Sequence, residues 1–583
     1  MANKLELTWC GKEEEIRIEP RLLVEKPELS NCKNDVETDN MLIHGDNLLA
    51  LKALEKKYAG KIKCIYIDPP YNTGEAFDEY NDNIEHSIWL NLMRARLVQL
   101  KKLLAPDGVI FVQLNDDEMN YCKVMMDEIF SRNNFINIIS LFTKVSAGAS
   151  GGGEDKKLKK NIEYILVYAN DFNNFVPFKP VYKKTPLMRY IQQMKDDGKS
   201  YKYTNVLVKC DDIKPYKTIK DGSGENIELF SVGDYEITTV KKLAQKEKLT
   251  EEEIFEKYYD RIMTTTNAQT SIRTRVWDAT DSEDNMYIAS YIPKSGKNKG
   301  KKTDLIFKGK QKVLVIWLKD TAEKEKNKIY KKERIGTFWD GFSWINVNKE
   351  GKVSFSGGKK PEQLIQRILE MATEKGDIVL DSFLGSGTTA AVAHKMGRKY
   401  IGIEMGEHCY TKCKPRLDYV CKNDPTGISE DVNWKGGGAF KFYELAPSLI
   451  DKDDFDEYII NSDYNADMLA AAVALNEGFD YDPDPDIFWK QAKGNEDSYL
   501  YTTTRHITAD YLDSIKNMMS DNEFLIIACK SFDAKLNAIY KNITLKKIPQ
   551  LLLEKCEFGK DNYNLNIVHP PIIEEYDEEE IDE

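Results

Sequence analysis

One stretch constrains the fold of this 583-residue chain more than any other: Ile378-Val379-Leu380-Asp381-Ser382-Phe383-Leu384-Gly385-Ser386-Gly387-Thr388-Thr389. A short apolar run ending in an acid passes through two glycines into a stretch of helical spacing, Thr388–Met396. A second apolar run follows, Tyr400-Ile401-Gly402-Ile403, and it ends in Glu404. Strand, glycine turn, helix and strand in that order make a βαβ unit, which requires a parallel sheet with helices on its faces. Glycines at the turn let a ligand approach the backbone closely, and an acid at the end of the next strand can accept hydrogen bonds from two ribose hydroxyls. No basic residue accompanies these glycines, which favours a phosphate-free nucleoside such as S-adenosylmethionine over a phosphate-bearing cofactor.

The same alternation occurs nearer the N-terminus. Met41–His44 and Lys61–Ile67 are short apolar runs on either side of a helical stretch, Leu48–Lys57. A longer helix over Ile88–Leu104 is predicted to end at Ala105-Pro106-Asp107-Gly108 and to lead into a third strand, Val109–Leu114. A helix at Met119–Phe130 precedes Ile136–Phe142 and Ile162–Tyr168, a strand pair expected at the sheet edge. Between about 171 and 340 the rhythm lapses and Lys, Tyr and Thr become frequent; it resumes with a helix over Pro361–Thr373. The pattern predicts one α/β sheet in two halves, 41–170 and 341–446, interrupted by an inserted domain at 171–340 and preceded by an N-terminal segment, 1–40. Beyond Pro447 an acidic linker over Asp451–Asp467 leads to a helix at Met468–Leu475. Strands at Ser498–Thr503, Glu523–Cys529 and Ile543–Cys556, with a helix near Ala509–Met519, then predict a small C-terminal α/β domain over 447–573. The last ten residues, 574–583, hold eight acids and read as a disordered tail.

Charge is unevenly spread. The chain has 83 Lys and Arg against 96 Asp and Glu, a net charge of −13. Residues 141–340 alone have 39 Lys and Arg against 29 Asp and Glu, so a basic island of +10 lies within an acidic protein. No apolar run approaches the roughly 20 residues of a bilayer span, and the N-terminal stretch lacks the apolar core of a signal peptide, which argues for a cytoplasmic protein with no membrane partner. The ten Cys have no framework spacing, which excludes a disulfide scaffold. His408, Cys409, Cys413 and Cys421 cluster, but gaps of four and eight place them along one helix face, and no metal site is expected. Asp480–Asp486 lacks the glycine and terminal glutamate of a calcium loop and reads as a solvated linker. The glycine-rich stretch 147–153 is followed by no Gly-Lys-Ser/Thr and reads as a flexible connection.

The second chemical constellation is Asp68-Pro69-Pro70-Tyr71-Asn72, immediately after the strand ending at Ile67. Ligands bind at that end of parallel strands. An exocyclic amine on a nucleobase is a poor nucleophile because its lone pair is delocalised into the ring, so it needs hydrogen-bond acceptors more than a strong base. Asp68 can accept one amine hydrogen and the Pro69 carbonyl another. Two prolines stiffen the loop, and Tyr71 offers a stacking face.

Taken together, and in this order, the two constellations with a basic insert between them resemble the β-class amino-methyltransferases of DNA, in which the catalytic half precedes the cofactor half as a circular permutation. The resemblance extends to Ile43-His44-Gly45-Asp46-Asn47 and to Gly358-Lys359-Lys360-Pro361, and covers 41–170 and 335–422. It implies a Rossmann-like methyltransferase sheet that binds S-adenosylmethionine. By the same resemblance Asp68, Pro69, Pro70 and Tyr71 are catalytic, and Asp46, Asn72, Lys360, Pro361, Asp381, Phe383, Gly385, Gly387, Thr388 and Glu404 line the cofactor. Chain length and the segment Trp434–Leu445 are similar to the modification subunit of type III restriction-modification systems. That narrower likeness implies methylation of adenine N6, double-stranded DNA as substrate, a homodimer, and a restriction subunit carrying helicase and nuclease as a partner. Methylation of cytosine N4 uses the same acceptor geometry and stays open; Asp at position 68 favours adenine by resemblance alone. A cofactor-binding specificity subunit that mainly recruits a nuclease or helicase is the other alternative.

The insert has the residue types of a DNA-reading surface. Lys183, Lys184, Arg189, Tyr190 and Lys202 interleave cations with aromatics, and Asn267, Gln269, Arg273 and Arg275 are suited to base edges. Lys301 and Lys302, in the densest basic run, suit phosphates. The expected fold class is therefore α/β: a circularly permuted, Rossmann-like sheet with an inserted target-recognition domain and a small C-terminal α/β domain.

Overall fold

The computed structural model describes residues 6–553, apart from 14–16, 72–75, 78–79, 82–85, 144–159, 269, 282, 284, 295–297, 327, 345, 356–357, 454 and 549. Asn72, Gln269, the glycine-rich stretch 147–153 and the acidic tail 574–583 lie outside the described residues. The chain divides into two compact units, 1–179 with 336–583, and 180–335.

The first unit is built on a ten-stranded mixed sheet. Its strands are β1 (Leu23–Glu25), β2 (Met41–His44), β3 (Ile62–Ile67), β4 (Leu104–Leu114), β5 (Phe135–Phe142), β6 (Ile162–Ala169), β7 (Phe338–Trp339), β8 (Ile378–Asp381), β9 (Lys399–Glu404) and β10 (Lys441–Leu445). Their order across the sheet is β1-β10-β2-β9-β8-β3-β4-β6-β5-β7. The six from β10 to β4 run parallel, and β6 turns back antiparallel against β4. The central strands are apolar along nearly their whole length because both faces are covered. Helices α1 (Asn47–Tyr58), α2 (His86–Leu103), α3 (Glu362–Ala372), α4 (Thr388–Lys395) and α5 (Lys414–Asn423) belong to this unit, and α1 and α2 bury Leu51, Leu54, Trp89, Met93 and Leu97 with Ile65 and Ile110 of the sheet.

Three features differ from the pattern read in the sequence. The strand pair β5–β6 is not outermost, because two residues, Phe338 and Trp339, add β7 beyond it in parallel with Ser140 and Leu141. The insert is shorter than 171–340: Lys179 N–H donates to the Met371 carbonyl, and β7 belongs to the main sheet, so the second compact unit is Pro180–Ile335. The stretch expected as a linker holds a two-stranded hairpin, Ile450–Lys452 with Tyr458–Ile460.

C-terminal to the main sheet lies a five-stranded sheet whose last three strands, Ser498–Ile507, Phe524–Phe532 and Ile543–Lys547, are parallel. Leu449, Ile450, Val473 and Leu500 share a core there, against which Leu22 and Val24 of the N-terminal segment pack. The second unit, 180–335, contains a closed antiparallel barrel of six strands, Asn205–Lys220, Asn226–Thr239, Met286–Tyr291, Thr303–Lys308, Val313–Trp317 and Ile262–Thr266. A separate three-stranded sheet joins Tyr182–Pro186, Ala322–Glu325 and Lys328–Arg334. Among the described residues no helix is long and apolar enough to cross a membrane.

Candidate active site

The permuted order brings the two chemical motifs side by side. β8 is hydrogen-bonded to β3 on one side, Leu380 opposite Ile65, and to β9 on the other, Asp381 opposite Gly402. β9 in turn pairs with β2, His44 opposite Glu404. Four neighbouring parallel strands thus deliver Asp46, Glu404, Asp381 and Asp68 to one carboxyl edge, where open α/β sheets bind ligands.

Around Asp68 the polar atoms converge. The Lys360 ammonium lies 3.0 Å from Asp68 Oδ2, 3.0 Å from the Tyr71 hydroxyl and 3.6 Å from Glu163 Oε2. The Tyr71 hydroxyl is 2.5 Å from Asp68 Oδ1 and 3.0 Å from Glu163 Oε2. Pro70 is fixed from outside by the Trp89 indole N–H, which donates to its carbonyl at 2.8 Å. Burial raises the Asp68 carboxyl above its ordinary range, opposed by the Lys360 charge. Burial pulls Lys360 down, but Asp68 and Glu163 outweigh it and hold the ammonium above its ordinary value. Asp68 is therefore a buried carboxyl group engaged by two donors, Lys360 and Tyr71, in a site whose dryness disfavours its charged form.

The glycine turn is built by positive backbone angles, φ +56° at Gly385 and +79° at Gly387, which L side chains resist. It carries the chain from Asp381 into α4. Asp381 accepts hydrogen bonds from the Phe383 N–H at 3.0 Å and the Thr389 hydroxyl at 2.6 Å. These partners are neutral, and burial pushes the Asp381 carboxyl up to about 7, with Asp68 and Glu404 adding repulsion. Glu404 accepts from the Gly385 N–H at 2.7 Å and the Gly406 N–H at 3.0 Å, and lies 3.0 Å from His408 Nε2. Asp46 caps α1 through the Leu49 N–H and pairs with Arg96 at 3.0 Å. Pro361 stands at the N-cap of α3, and Thr388 Oγ1 donates to the Lys360 carbonyl at 3.3 Å, joining the segment before α3 to the turn. Of the Cys cluster, Cys413 donates its thiol to the Gly385 carbonyl at 3.0 Å, and no group of metal-holding side chains occurs among the described residues.

Several contributors are not among the site residues read from the sequence. Glu163, on β6, and Gln113, on β4, enter the Asp68 cluster. Asn47 donates to the Ser382 carbonyl at 2.7 Å and accepts from Arg96, tying the two halves together. Arg416 donates to the Ser386 carbonyl and to Thr388 Oγ1, bracing the turn. The signal for Glu163 and Gln113 was present: a single polar residue inside an otherwise apolar, sheet-forming run.

The insert residues fall on separate elements. Lys183 and Lys184 lie on the three-stranded sheet, with Lys184 paired to Glu323 and Glu325. Arg189 and Tyr190 are on the helix Leu187–Asp196, and Lys202 is in the following exposed loop. Asn267 follows the barrel strand Ile262–Thr266, and Arg273 and Arg275 are on the helix Ser271–Ala279. Their guanidiniums are pinned by the Gln311 and Lys220 carbonyls. Lys301 is exposed, and Lys302 lies 3.7 Å from Glu228.

Comparison with known proteins identifies the family. The family described as DNA methylase, the N6 and N4 amino-methyltransferases, matches residues 62–414. The protein described as "Probable type III restriction-modification enzyme HindVI Mod subunit" of Haemophilus influenzae is 43% identical over 422 residues, 72% of this chain and 56% of that one. The StyLTI Mod subunit of Salmonella typhimurium is 28% identical over 403 residues, 63% of this chain and 51% of that one. The chain thus spans about half the length of the curated relatives it matches. Among solved structures, the cytosine-N4-specific PvuII DNA methyltransferase aligns over 68% of this chain and 91% of that one at 13% identity, with a TM-score of 0.30, too low to relate one residue to another. The family match covers more than half of the chain and takes in Asp68, Lys360, Asp381 and Glu404, and the chain belongs to the DNA methylase family.

Proposed function

We propose that this chain is a site-specific DNA methyltransferase that moves a methyl group from S-adenosylmethionine to the exocyclic N6 of adenine, as the modification subunit of a type III restriction-modification system. The observation that carries it is the convergence of the Asp68–Tyr71 acceptor loop and the Asp381–Glu404 edge on adjacent strands. The donor set fits the cofactor: Asp381 is a buried acid whose described partners are neutral, which suits a cationic ligand, and Glu404 suits ribose hydroxyls. Asp46, Phe383, Gly385, Gly387, Thr388, Lys360 and Pro361 complete that lining. Bound S-adenosylmethionine supplies a methyl group made electrophilic by a positively charged sulfur. Asp68 and the Pro69 carbonyl hold the amine hydrogens, turning the nitrogen lone pair out of conjugation, while the Tyr71 ring stacks on the flipped base. The insert reads the target through Arg189, Asn267, Gln269, Arg273 and Arg275, and Lys183, Lys184, Tyr190, Lys202, Lys301 and Lys302 supply backbone affinity. Residues 447–573 serve dimerisation or docking of the restriction subunit; an unaltered assembly after truncation at 446 would remove that role.

The test is single-molecule sequencing of DNA from a host expressing this chain or its Asp68→Ala variant. Methyladenine in one short motif, lost in the variant, is the expected result. Methylcytosine would move the assignment to N4 chemistry, and DNA binding with no modified base would favour a recruiting subunit.

Asp381 gives the cofactor site a pH dependence. Its carboxyl is raised from 3.8 to about 7, so the free protein holds there a proton that the unfolded chain has shed, and this contribution to stability falls as pH rises between those values. A cationic ligand requires the ionised form. Cofactor affinity is therefore expected to rise by about tenfold per pH unit below about 7 and to level off above it. Calorimetric titration between pH 5.5 and 8.5 measures this, and Asp381→Asn should flatten the profile.

A further inference from the structure

Glu163 stands on a strand otherwise apolar and buried towards its end, yet its carboxylate points at Tyr71. The direction of the surrounding bonds is fixed by chemistry. The buried Tyr66 hydroxyl donates to Gln113 Oε1 at 2.7 Å, so Gln113 must present its NH2 to Glu163, where Nε2 lies 2.6 Å from Oε2. Glu163 Oε2 is thereby held as an acceptor 3.0 Å from the Tyr71 hydroxyl, whose other side is 2.5 Å from Asp68 Oδ1. Asp68, Tyr71 and Glu163 form an unbroken chain of oxygens beside Lys360. Two carboxylates share one ammonium, which leaves one negative charge for a proton to neutralise.

Resting on the reading of Asp68 as acceptor of the target amine, we propose that Tyr71 and Glu163 are the exit path for the proton which that amine sheds. As the nitrogen forms its bond to the methyl carbon, the carbon–sulfur bond breaks and its electron pair stays on sulfur. The nitrogen then carries the positive charge and gives one N–H proton to Asp68. Asp68 passes a proton to the Tyr71 oxygen while Tyr71 passes its own to Glu163, which releases it to water from a side chain that is 20% exposed. Burial keeps the Tyr71 phenol far above its ordinary range, so the hydroxyl conducts the proton without resting as an anion. A base seated against Asp68 slows the approach of water to that carboxylate, so near pH 7 the relay is the faster outlet.

Glu163→Gln keeps the shape and the contacts to Gln113 and Tyr71 but cannot take the proton. On a duplex carrying the unmethylated target motif, its single-turnover rate is expected to fall on the order of tenfold at pH 7 and to recover towards wild type by pH 9, where hydroxide removes the proton. Tyr71→Phe, which keeps the stacking ring, should show the same recovery, and the double variant should lose no more than either single one. Melting temperature and the fluorescence of 2-aminopurine at the target position should match wild type in Glu163→Gln. A loss uniform across pH, a loss that adds to Tyr71→Phe, or an undiminished rate in Glu163→Gln would overturn the relay while leaving the methyltransferase reading intact. No methylated base from the wild-type protein would remove that reading, and the relay with it.

Discussion

Replacing Asp68 by Ala is expected to lower the methyl-transfer rate by about 10³-fold, with cofactor and DNA affinities within a few fold of wild type. The expectation follows from what the carboxylate holds. Its two oxygens engage Lys360 at 3.0 Å and Tyr71 at 2.5 Å, and the same oxygens must receive the amine hydrogen. Removing them takes away the acceptor and also leaves Lys360 with Glu163 as its remaining carboxylate partner. Asp68→Asn separates these two losses. It keeps a carbonyl acceptor of the same length while removing the charge, so its rate should fall between those of wild type and Ala. Rapid-quench single-turnover assays on a methylatable duplex give the three rates. An Ala variant within tenfold of wild type would show that Asp68 does not hold the amine, and equal rates for Ala and Asn would show that charge, not acceptance, is what Asp68 contributes.

Much of this candidate site was legible in the sequence because parallel strands covered on both faces are contiguous apolar runs, and the acids gathered at their carboxyl edge sit at the run ends. Asp68 after Ile67, Asp381 after Leu380 and Glu404 after Ile403 all follow that rule. Glu163 and Gln113 break it, sitting inside their strands, and their approach to Tyr71 depends on β6 turning back against β4. No spacing along the chain encodes that reversal. The outermost strands, Leu23–Glu25 and Phe338–Trp339, are two or three residues long and are strands only because a partner pairs with them. In the insert, most of Lys209–Thr218 is exposed on a strand of sixteen residues, so the barrel lacks the apolar runs that mark the main sheet. Asp46, two residues beyond β2, is held in place as the N-cap of α1, where it accepts from the Leu49 N–H.

Behind the glycine turn, Glu362→Gln is expected to destabilise the protein by about 3–5 kcal/mol and to lower its melting temperature by on the order of 10 °C. Glu362 is fully buried and accepts from Lys395 at 2.8 Å, from Arg416 at 2.8 Å and from the Ile428 N–H at 3.1 Å. Asp424 supplies the second carboxylate, 2.7 Å from Lys395, so two acids and two bases balance within the core. Neutralising one acid leaves an uncompensated cation where solvation cannot reach it, which costs far more than the pair contributes by Coulomb attraction alone. The fit is close on every side: at Gly427, where φ is +61°, a Cβ would lie 2.0 Å from Glu362 Oε2, so Gly427→Ala should reproduce the loss by steric means. Function follows from the same atoms. Arg416 reaches from Glu362 to the Ser386 carbonyl and the Thr388 hydroxyl, so the glycine turn should loosen and cofactor affinity weaken roughly tenfold below the melting transition. Scanning calorimetry and cofactor titration at 15 °C separate the two effects. A loss below 1 kcal/mol would mean that desolvation already offsets the pairing and that this cluster contributes geometry alone, in which case the weakened cofactor binding should persist without the change in melting temperature.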